Sequence, residues 1–418
     1  MDHKFRIITA TTLCILFSAM PVLLASVSAL TVTTAVNLSN DTYKASYPDV
    51  LNVGNNVYVV WSEGAHGDWF RVSSDGGGTW STALRLIAGT TSAPWIAASG
   101  TYGYVVWTEA GVTYVAISSN SGSSFGTPIA VSGKVTSCET PVIAAYGNDV
   151  YVAADCGGHS YVTVSSNNGG TWTTPFLYAS GPEPQIAAWG TDAYAIADSS
   201  SRATTAIAVS TNNGASWLKS GSSGGSEPWI SAYGTNVVAA WETKGSASVV
   251  RVITSTDSGK TFSKPFEISS AVPNSWAPMT GIFGNTEYVA WRSHPGSSLS
   301  QEYVSVSLNA GGTWSSASVI GISGHDNSWP VTVASTSSSA FIAWYERTGS
   351  TSTAPWQAVI VEGTNNGSSW TTPTRLGGSI AETDVATAAV SAFGSTAFAV
   401  WTNTTSSGNT QVYFSSGA

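Results

Sequence analysis

Residues 73–80 read SSDGGGTW, and the pattern returns as SSNSGSSF at 118–125, SSNNGGTW at 165–172, STNNGASW at 210–217, STDSGKTF at 255–262, SLNAGGTW at 307–314 and GTNNGSSW at 363–370. The closing aromatics Trp80, Phe125, Trp172, Trp217, Phe262, Trp314 and Trp370 stand 45, 47, 45, 45, 52 and 56 residues apart. That period is the length of a four-stranded blade. Around each copy the same order recurs, as in SEPWISAYG, TNVVAAW, SVVRVITS, the box, and FSKPFEIS between residues 226 and 269. These runs of Val, Ile, Ala and aromatics, punctuated by Gly and Asn, predict four strands per unit, A to D.

The box lies between C and D, where the chain must reverse. Gly77, Gly122, Gly169, Gly214, Gly259, Gly311 and Gly367 share one position because a positive φ is cheap only for glycine. Two residues earlier an Asp or Asn side chain can accept hydrogen bonds from the amides of the turn. Asp75 and Asp257 exchange with Asn in the other copies. That exchange suits a hydrogen-bonding role and would abolish a catalytic carboxylate, so the box is architecture.

Composition agrees with an all-β chain. Of 418 residues 42% are hydrophobic and only 9% charged, with 42 glycines, which favours strands and tight turns over polar-faced helices. The net charge of -9 would repel a phosphate backbone and excludes nucleic acid as the expected partner. Lys4 and Arg6, the apolar run after them and Val27-Ser28-Ala29 predict a signal peptide over 1–29 and a mature propeller over 30–418, secreted or at the cell surface. No later segment is long and apolar enough to span a bilayer. Cys138 and Cys156 are the only cysteines beyond the leader. A hairpin turning at Gly147-Asn148 leaves them one step from direct opposition, within reach of a disulfide after a small irregularity, and export favours oxidation.

The pattern S-x-[DN]-x-G-x-[ST]-[WF] resembles the Asp-box, or BNR repeat, of sialidase-like β-propellers; only Gly363 departs from the opening Ser. The resemblance implies a toroid of blades with each box on the outer rim of one face, away from the site face. Inner strands begin near Tyr47, Pro94, Pro141, Pro184, Pro228, Pro278, Pro330 and Asp384, which makes eight units for seven boxes. The eighth stops at TQVYFSSGA, and AVNLSN at 35–40 can supply its fourth strand. An eight-bladed ring closed by an N-terminal strand is expected, with seven blades the alternative. True sialidases usually have six, which weakens any transfer of their activity.

Connections from D to A and from B to C share the face opposite the boxes. Glu63, Glu109, Asp155, Asp198, Glu242 and Glu346 end the B strands, and Glu139, Glu183, Glu227, Glu382 and Asp384 precede or begin the A strands. This acidic rim is either repeat-encoded solubility or a ligand site whose hard oxygens suit calcium. Trp229, Trp276, Trp329 and Trp356 are candidates for glycan stacking, whereas Trp61, Trp107, Trp241, Trp291, Trp344 and Trp401 read as packing between blades. His66, His159, His294 and His325 lack zinc-ligand spacing and read as exposed loop residues.

Sialidase chemistry would imply three convergent arginines, a Tyr nucleophile assisted by Glu, and an Asp acid/base. No Arg-Ile-Pro occurs. Arg202, Arg292 and Arg347, with Tyr345 and Glu346 beside the last, fall in B to C connections of the fourth, sixth and seventh units instead. The function expected is therefore a secreted, non-catalytic, monomeric propeller binding a glycan, a cell-surface component or an extracellular protein through its acidic, Trp-bearing face. The alternatives are a divergent exo-sialidase or related glycoside hydrolase, and a structural cell-envelope protein.

Overall fold

A computed structural model describes residues 29–418 apart from 90, 200–203, 244–246, 273, 295–298, 350–353, 380–387 and 406, and apart from the side chains of 220–223 and 328–331. The predicted signal segment thus lies outside the described residues, save for Ala29. The described chain forms eight antiparallel blades in a ring. Their A strands are Ser46–Val53, Trp95–Ser99, Cys138–Tyr146, Gln185–Trp189, Ser226–Tyr233, Ser275–Phe283, His325–Ser335 and Ala388–Phe393. Each A strand pairs with its B strand: Asn56–Ser62, Tyr102–Glu109, Asp149–Cys156, Asp192–Asp198, Asn236–Thr243, Thr286–Ser293, Ala340–Thr348 and Thr396–Thr404. Consecutive A strands touch around the channel, and that of blade 8 touches that of blade 1.

Strand B sits in mid-blade with a neighbouring blade over each face, so its side chains are apolar on both sides rather than alternating. NVYVVWS at Asn56–Ser62 is almost wholly buried. Trp61, Trp107, Trp241, Trp291, Trp344 and Trp401 are 0–1% exposed, each in a cluster built from adjoining blades. These six tryptophans are core, as their position in the repeat indicated.

The ring closes as expected at the N-terminus. Val36–Asn37 pairs with Thr410–Gly417, Val36 opposite Phe414 and Asn37 opposite Tyr413. Backbone bonds from Thr33 to Ser416 and from Leu38 to Val412 extend the seam, which removes two sheet edges. The cysteines are bridged as well, and the reason they meet is a bulge. Glu139 pairs with Asp155 but Val142 with Ala153, so Thr140-Pro141 inserts one extra residue and brings Cys138 directly opposite Cys156.

Six of the seven boxes are closed hydrogen-bonded knots, and the seventh, which opens with Gly363, pairs Gly363 with Trp370 and Thr364 with Ser369 instead. In blade 1 the Ser73 hydroxyl donates to Asp75 Oδ1 at 2.7 Å and accepts from the Gly77 amide at 2.8 Å, while Asp75 accepts from the Thr79 amide and hydroxyl at 2.8 and 2.7 Å. In blade 3 Asn167 keeps the amide bond and its NH2 donates to the Thr171 hydroxyl at 3.0 Å. The threonine rotor reverses its role, which is why Asp and Asn interchange.

The box glycine also has a task in the neighbouring blade. A Cβ on Gly77, at φ +93°, would lie 2.2 Å from Phe414 of blade 8; one on Gly169 would lie 2.2 Å from Ile117 of blade 2. Gly77→Ala is therefore expected to cost about 2–4 kcal/mol, combining left-handed strain with overpacking, and a variant melting with the wild type would refute this contact. Asp75→Asn should leave the melting temperature at pH 7 nearly unchanged. Hydrogen bonds from Thr79 and Ser73 hold the Asp75 carboxyl down at about 2. Its stabilisation is present above the unfolded value near 3.9 and lost as pH falls through about 2, so the Asn variant should lose less stability in acid.

Candidate functional site

The channel mouth opposite the boxes holds a funnel of about 340 Å³. Its walls come from the residues that flank one proline in each of five successive blades: Ala93-Pro94-Trp95, Thr140-Pro141-Val142, Glu183-Pro184-Gln185, Glu227-Pro228-Trp229 and Ala277-Pro278-Met279. Proline has no amide to donate to the ladder, so it sits where the A strand bulges or begins. Blades 3, 5 and 6 show the bulge by their shifts in register.

Except at Ala93, the residue before the proline adopts a left-handed backbone although it is not glycine. Thr140, Glu183, Glu227 and Ala277 have φ of 43°, 62°, 52° and 51°, and Tyr47 of blade 1 has 50°. Such conformations cost on the order of 1–3 kcal/mol each and persist where the surroundings enforce them. Thr140, Glu183, Glu227 and Ala277 all line the funnel. Trp95 of blade 2 and Trp229 of blade 5 meet across the channel, with ring centroids 6.2 Å apart and planes inclined at 45°.

Three sequence candidates, Glu183, Glu227 and Trp229, thus come together in the funnel. Trp95, Thr140 and Met279 join them and were not anticipated. The signal was available, since Trp95 follows its proline as Trp229 does. Blade 1 uses the corresponding Asp49 for architecture: its carboxylate accepts from the amides of Val50 and of Ile96 in blade 2, at 2.9 and 3.1 Å.

The acids ending the B strands are mostly turned inward. Glu63, Asp155, Glu242 and Glu346 are 0–5% exposed. Glu63 accepts from the Trp61 indole at 2.8 Å, Asp155 from the Gly158 amide at 2.8 Å and Glu242 from the Ser226 hydroxyl at 3.3 Å. Glu139 is exposed and Glu109 half-buried. Among the described residues no three His, Cys, Asp or Glu side chains gather closely enough to hold a metal ion. Arg202, Glu382 and Asp384 lie outside the described residues, as does the side chain of Trp329.

Arg292 and Arg347 belong to a separate charged cluster in blades 6 and 7, whereas Tyr345 packs against blade 8. Arg347 pairs with Asp326 at 3.2 Å, and its guanidinium lies 4.5 Å from the Trp356 ring centre. Arg292 donates to the Ser300 hydroxyl at 2.7 Å and lies 5.5 Å from the Trp276 ring centre. Burial lowers the Arg292 guanidinium from its ordinary value; Glu302 and Asp326 oppose that, and Arg347 adds to it. His325 is not an exposed loop residue: its Nδ1 is 3.0 Å from Glu346 Oε1, and it is half-buried because blade 7's A strand begins there. Tyr345 is fully buried, its hydroxyl donating to the Thr402 carbonyl, and burial raises the phenol above its usual value.

No protein-family profile matches the sequence, and no curated protein matches it. Among solved structures the chain is similar to a protein of unknown function from Dyadobacter fermentans DSM 18053, with 12% identity, TM-score 0.46 and coverage of 93% of this chain and 98% of that one. It is also similar to an ulvan lyase of polysaccharide lyase family PL25, at 10% identity, TM-score 0.49 and coverage of 92% and 94%. A sialidase of Trypanosoma rangeli gives 11% identity, TM-score 0.42 and coverage of 93% and 59%. Likeness at this level assigns no activity.

Buried acids outside the funnel set a pH dependence. Burial raises Asp49 and Asp68 to about 7, and Glu63 and Glu287 to about 8. The folded chain holds these protons to higher pH than the unfolded chain, whose carboxyls titrate near 4. Their contribution to stability is full below about pH 4 and is lost as pH rises through 7 to 8. The melting temperature is expected to be higher at pH 5 than at pH 8.5, with Glu287→Gln narrowing the difference; a rise toward pH 8.5 would contradict the assignment.

Proposed function

We propose that the chain is an exported sialidase-like propeller of the Asp-box kind that binds a glycan in the funnel at its channel mouth without cleaving it. The observation that carries this reading is the funnel itself, with a tryptophan from blade 2, another from blade 5 and strained pre-proline residues in its lining. Aromatic faces stack on the C–H faces of sugar rings, and Thr140, Gln185, Glu183 and Glu227 offer groups for hydroxyls. Export is supported by the apolar leader and by the disulfide.

Two carboxylates in one funnel favour a second reading, glycoside hydrolysis with Glu183 and Glu227 as the acid and base pair. A glycan array followed by calorimetry separates the two. Trp95→Ala or Trp229→Ala is expected to weaken glycan binding about 10-fold, equivalent to about 1.4 kcal/mol, with no turnover of aryl glycosides or sialosides. An array on which no glycan is retained overturns the binding reading. Turnover abolished by Glu183→Gln or Glu227→Gln establishes the hydrolase instead.

A further inference from the structure

We infer that the Cys138–Cys156 bond is a redox-sensitive latch on the funnel: it closes the end of blade 3 against a repulsion built into that end, and its reduction releases the blade 3 wall while the ring stays folded. The comparison that carries this is internal to the repeat. Residues 135–142 of blade 3, VTSCETPV, correspond one for one to residues 272–279 of blade 6, VPNSWAPM, and the B strands align in the same way. Ser275 and Ser293 stand opposite each other where Cys138 and Cys156 do, and a bulge follows in both A strands. The Cys138 amide donates to the Gly111 carbonyl and the Ser275 amide to that of Ser248, each at 2.9 Å. The Gly157 amide donates to the Ser137 carbonyl and the His294 amide to that of Asn274, at 2.9 and 3.0 Å. Both bulges put residues into the funnel, Thr140 and Val142 from one, Ala277 and Met279 from the other. With serines in place of cysteines, blade 6 forms this backbone without a covalent bond.

The two blades differ in what closes that end. In blade 6 the next ladder pair is Trp276 with Arg292, and the Trp276 ring centre lies 5.5 Å from the Arg292 guanidinium and 5.5 Å from the His294 ring centre. A cation–π contact and a ring contact hold the strands together there. In blade 3 the corresponding pair is Glu139 with Asp155, and Gly157 takes the place of His294. Like charges directly opposite in a ladder push the strands apart. Burial raises the Asp155 carboxyl from its usual value; the Gly158 amide opposes that, and the charge of Glu139 adds to it. Glu139 and Thr140 are exposed, whereas Trp276 is half-buried and Ala277 buried. The bond therefore does in blade 3 what the aromatic clamp does in blade 6. A dithiol that reduces it supplies two electrons and two protons, breaks the S–S bond to leave two thiols, and closes to its own cyclic disulfide. The repulsion then acts on a strand end that leads directly into Thr140 and Val142.

The test is hydrogen exchange of the folded mature protein with and without dithiothreitol, the thiols being counted by alkylation and mass spectrometry. It needs no ligand, so the latch stands or falls apart from the glycan reading. After reduction the amides of Cys138 and Gly157, and with them Thr140 and Val142, are expected to exchange about 10-fold faster or more, while Ser275 and His294 in blade 6 keep their rates and circular dichroism is unchanged. Cys138→Ser combined with Cys156→Ser gives blade 3 the serine pair of blade 6, and should fold and show the same local change. Adding Glu139→Gln to that variant should slow the exchange again about 3-fold or more, because the facing charge is gone. A bond that dithiothreitol leaves intact in the folded protein, exchange that its loss does not alter, or a serine variant that fails to fold overturns the latch. Acceleration confined to Cys138 and Gly157 overturns its link to the funnel, and faster exchange that Glu139→Gln does not slow overturns the repulsion.

Discussion

The fold depends on the contact between each box and the blade before it. The bare α-carbon of the box glycine faces that blade's core: Gly122 meets Phe70, Gly214 meets Val164 and Gly311 meets Thr254. The closing aromatic reaches the same neighbour, as Phe125 does on Phe70 with ring centroids 4.8 Å apart. A blade cannot bury its two faces alone, so stability in a repeat architecture resides in such contacts between neighbours. Box 1 has no earlier blade in sequence. Gly77 and Trp80 pack on Phe414 of blade 8 instead, so the contact that joins consecutive blades also joins the two ends of the chain.

A ring fixed on its box face leaves the opposite face free to hold conformations that isolated strands would relax. Five non-glycine residues ahead of prolines stay left-handed there. Proline alone would disfavour the helical alternative for the residue before it, but not impose a positive φ. At Tyr47, Thr140, Glu227 and Ala277 the residue lies within a bulge, where the extra residue has to fit between two paired neighbours. The boxes and the funnel thus lie at opposite ends of the blades, and the identity of the pre-proline residue can vary from Thr to Glu to Ala without disturbing the box.

Sequence reading reached the period, the eight units, the N-terminal closure and the disulfide because each rests on local chemistry or simple counting. It missed what depends on one-residue irregularities and on the shape of covering loops. Counting back from Gly147-Asn148 left Cys138 and Cys156 a step apart, and only the Thr140-Pro141 bulge aligns them. The B-strand acids were placed at the correct strand ends, yet Glu63 caps an indole and Glu242 a serine hydroxyl, since loops fold over those ends. Within the box, the residue before the glycine is also left-handed. Its amide donates to the A to B turn, as from Ser121 to Thr101 and from Asn168 to Asn148. Nothing in its varied side chains announces that role.

The two described candidate arginines bear on which chemistry the molecule can support. A sugar carboxylate is held by guanidinium groups whose donors are free to turn toward it. Arg347 already spends donors on Asp326 in a pair only about a tenth exposed, and Trp356 covers its face. Arg292 donates to Ser300 beneath Trp276, and the buried Glu302 stands opposite it in the ladder. Bringing a carboxylate into that cluster would add a negative charge beside Asp326 and Glu302 while displacing an existing ion pair, a desolvation cost of several kcal/mol that two already engaged arginines offset poorly. The funnel lies among blades 2 to 6, apart from this cluster, and its described lining differs in kind, with two carboxyl side chains, two tryptophans and prolines. Within one ring, then, the two described candidate arginines are engaged inside blades 6 and 7, Arg292 on Ser300 and Arg347 on Asp326, whereas the funnel is lined from the five blades before blade 7.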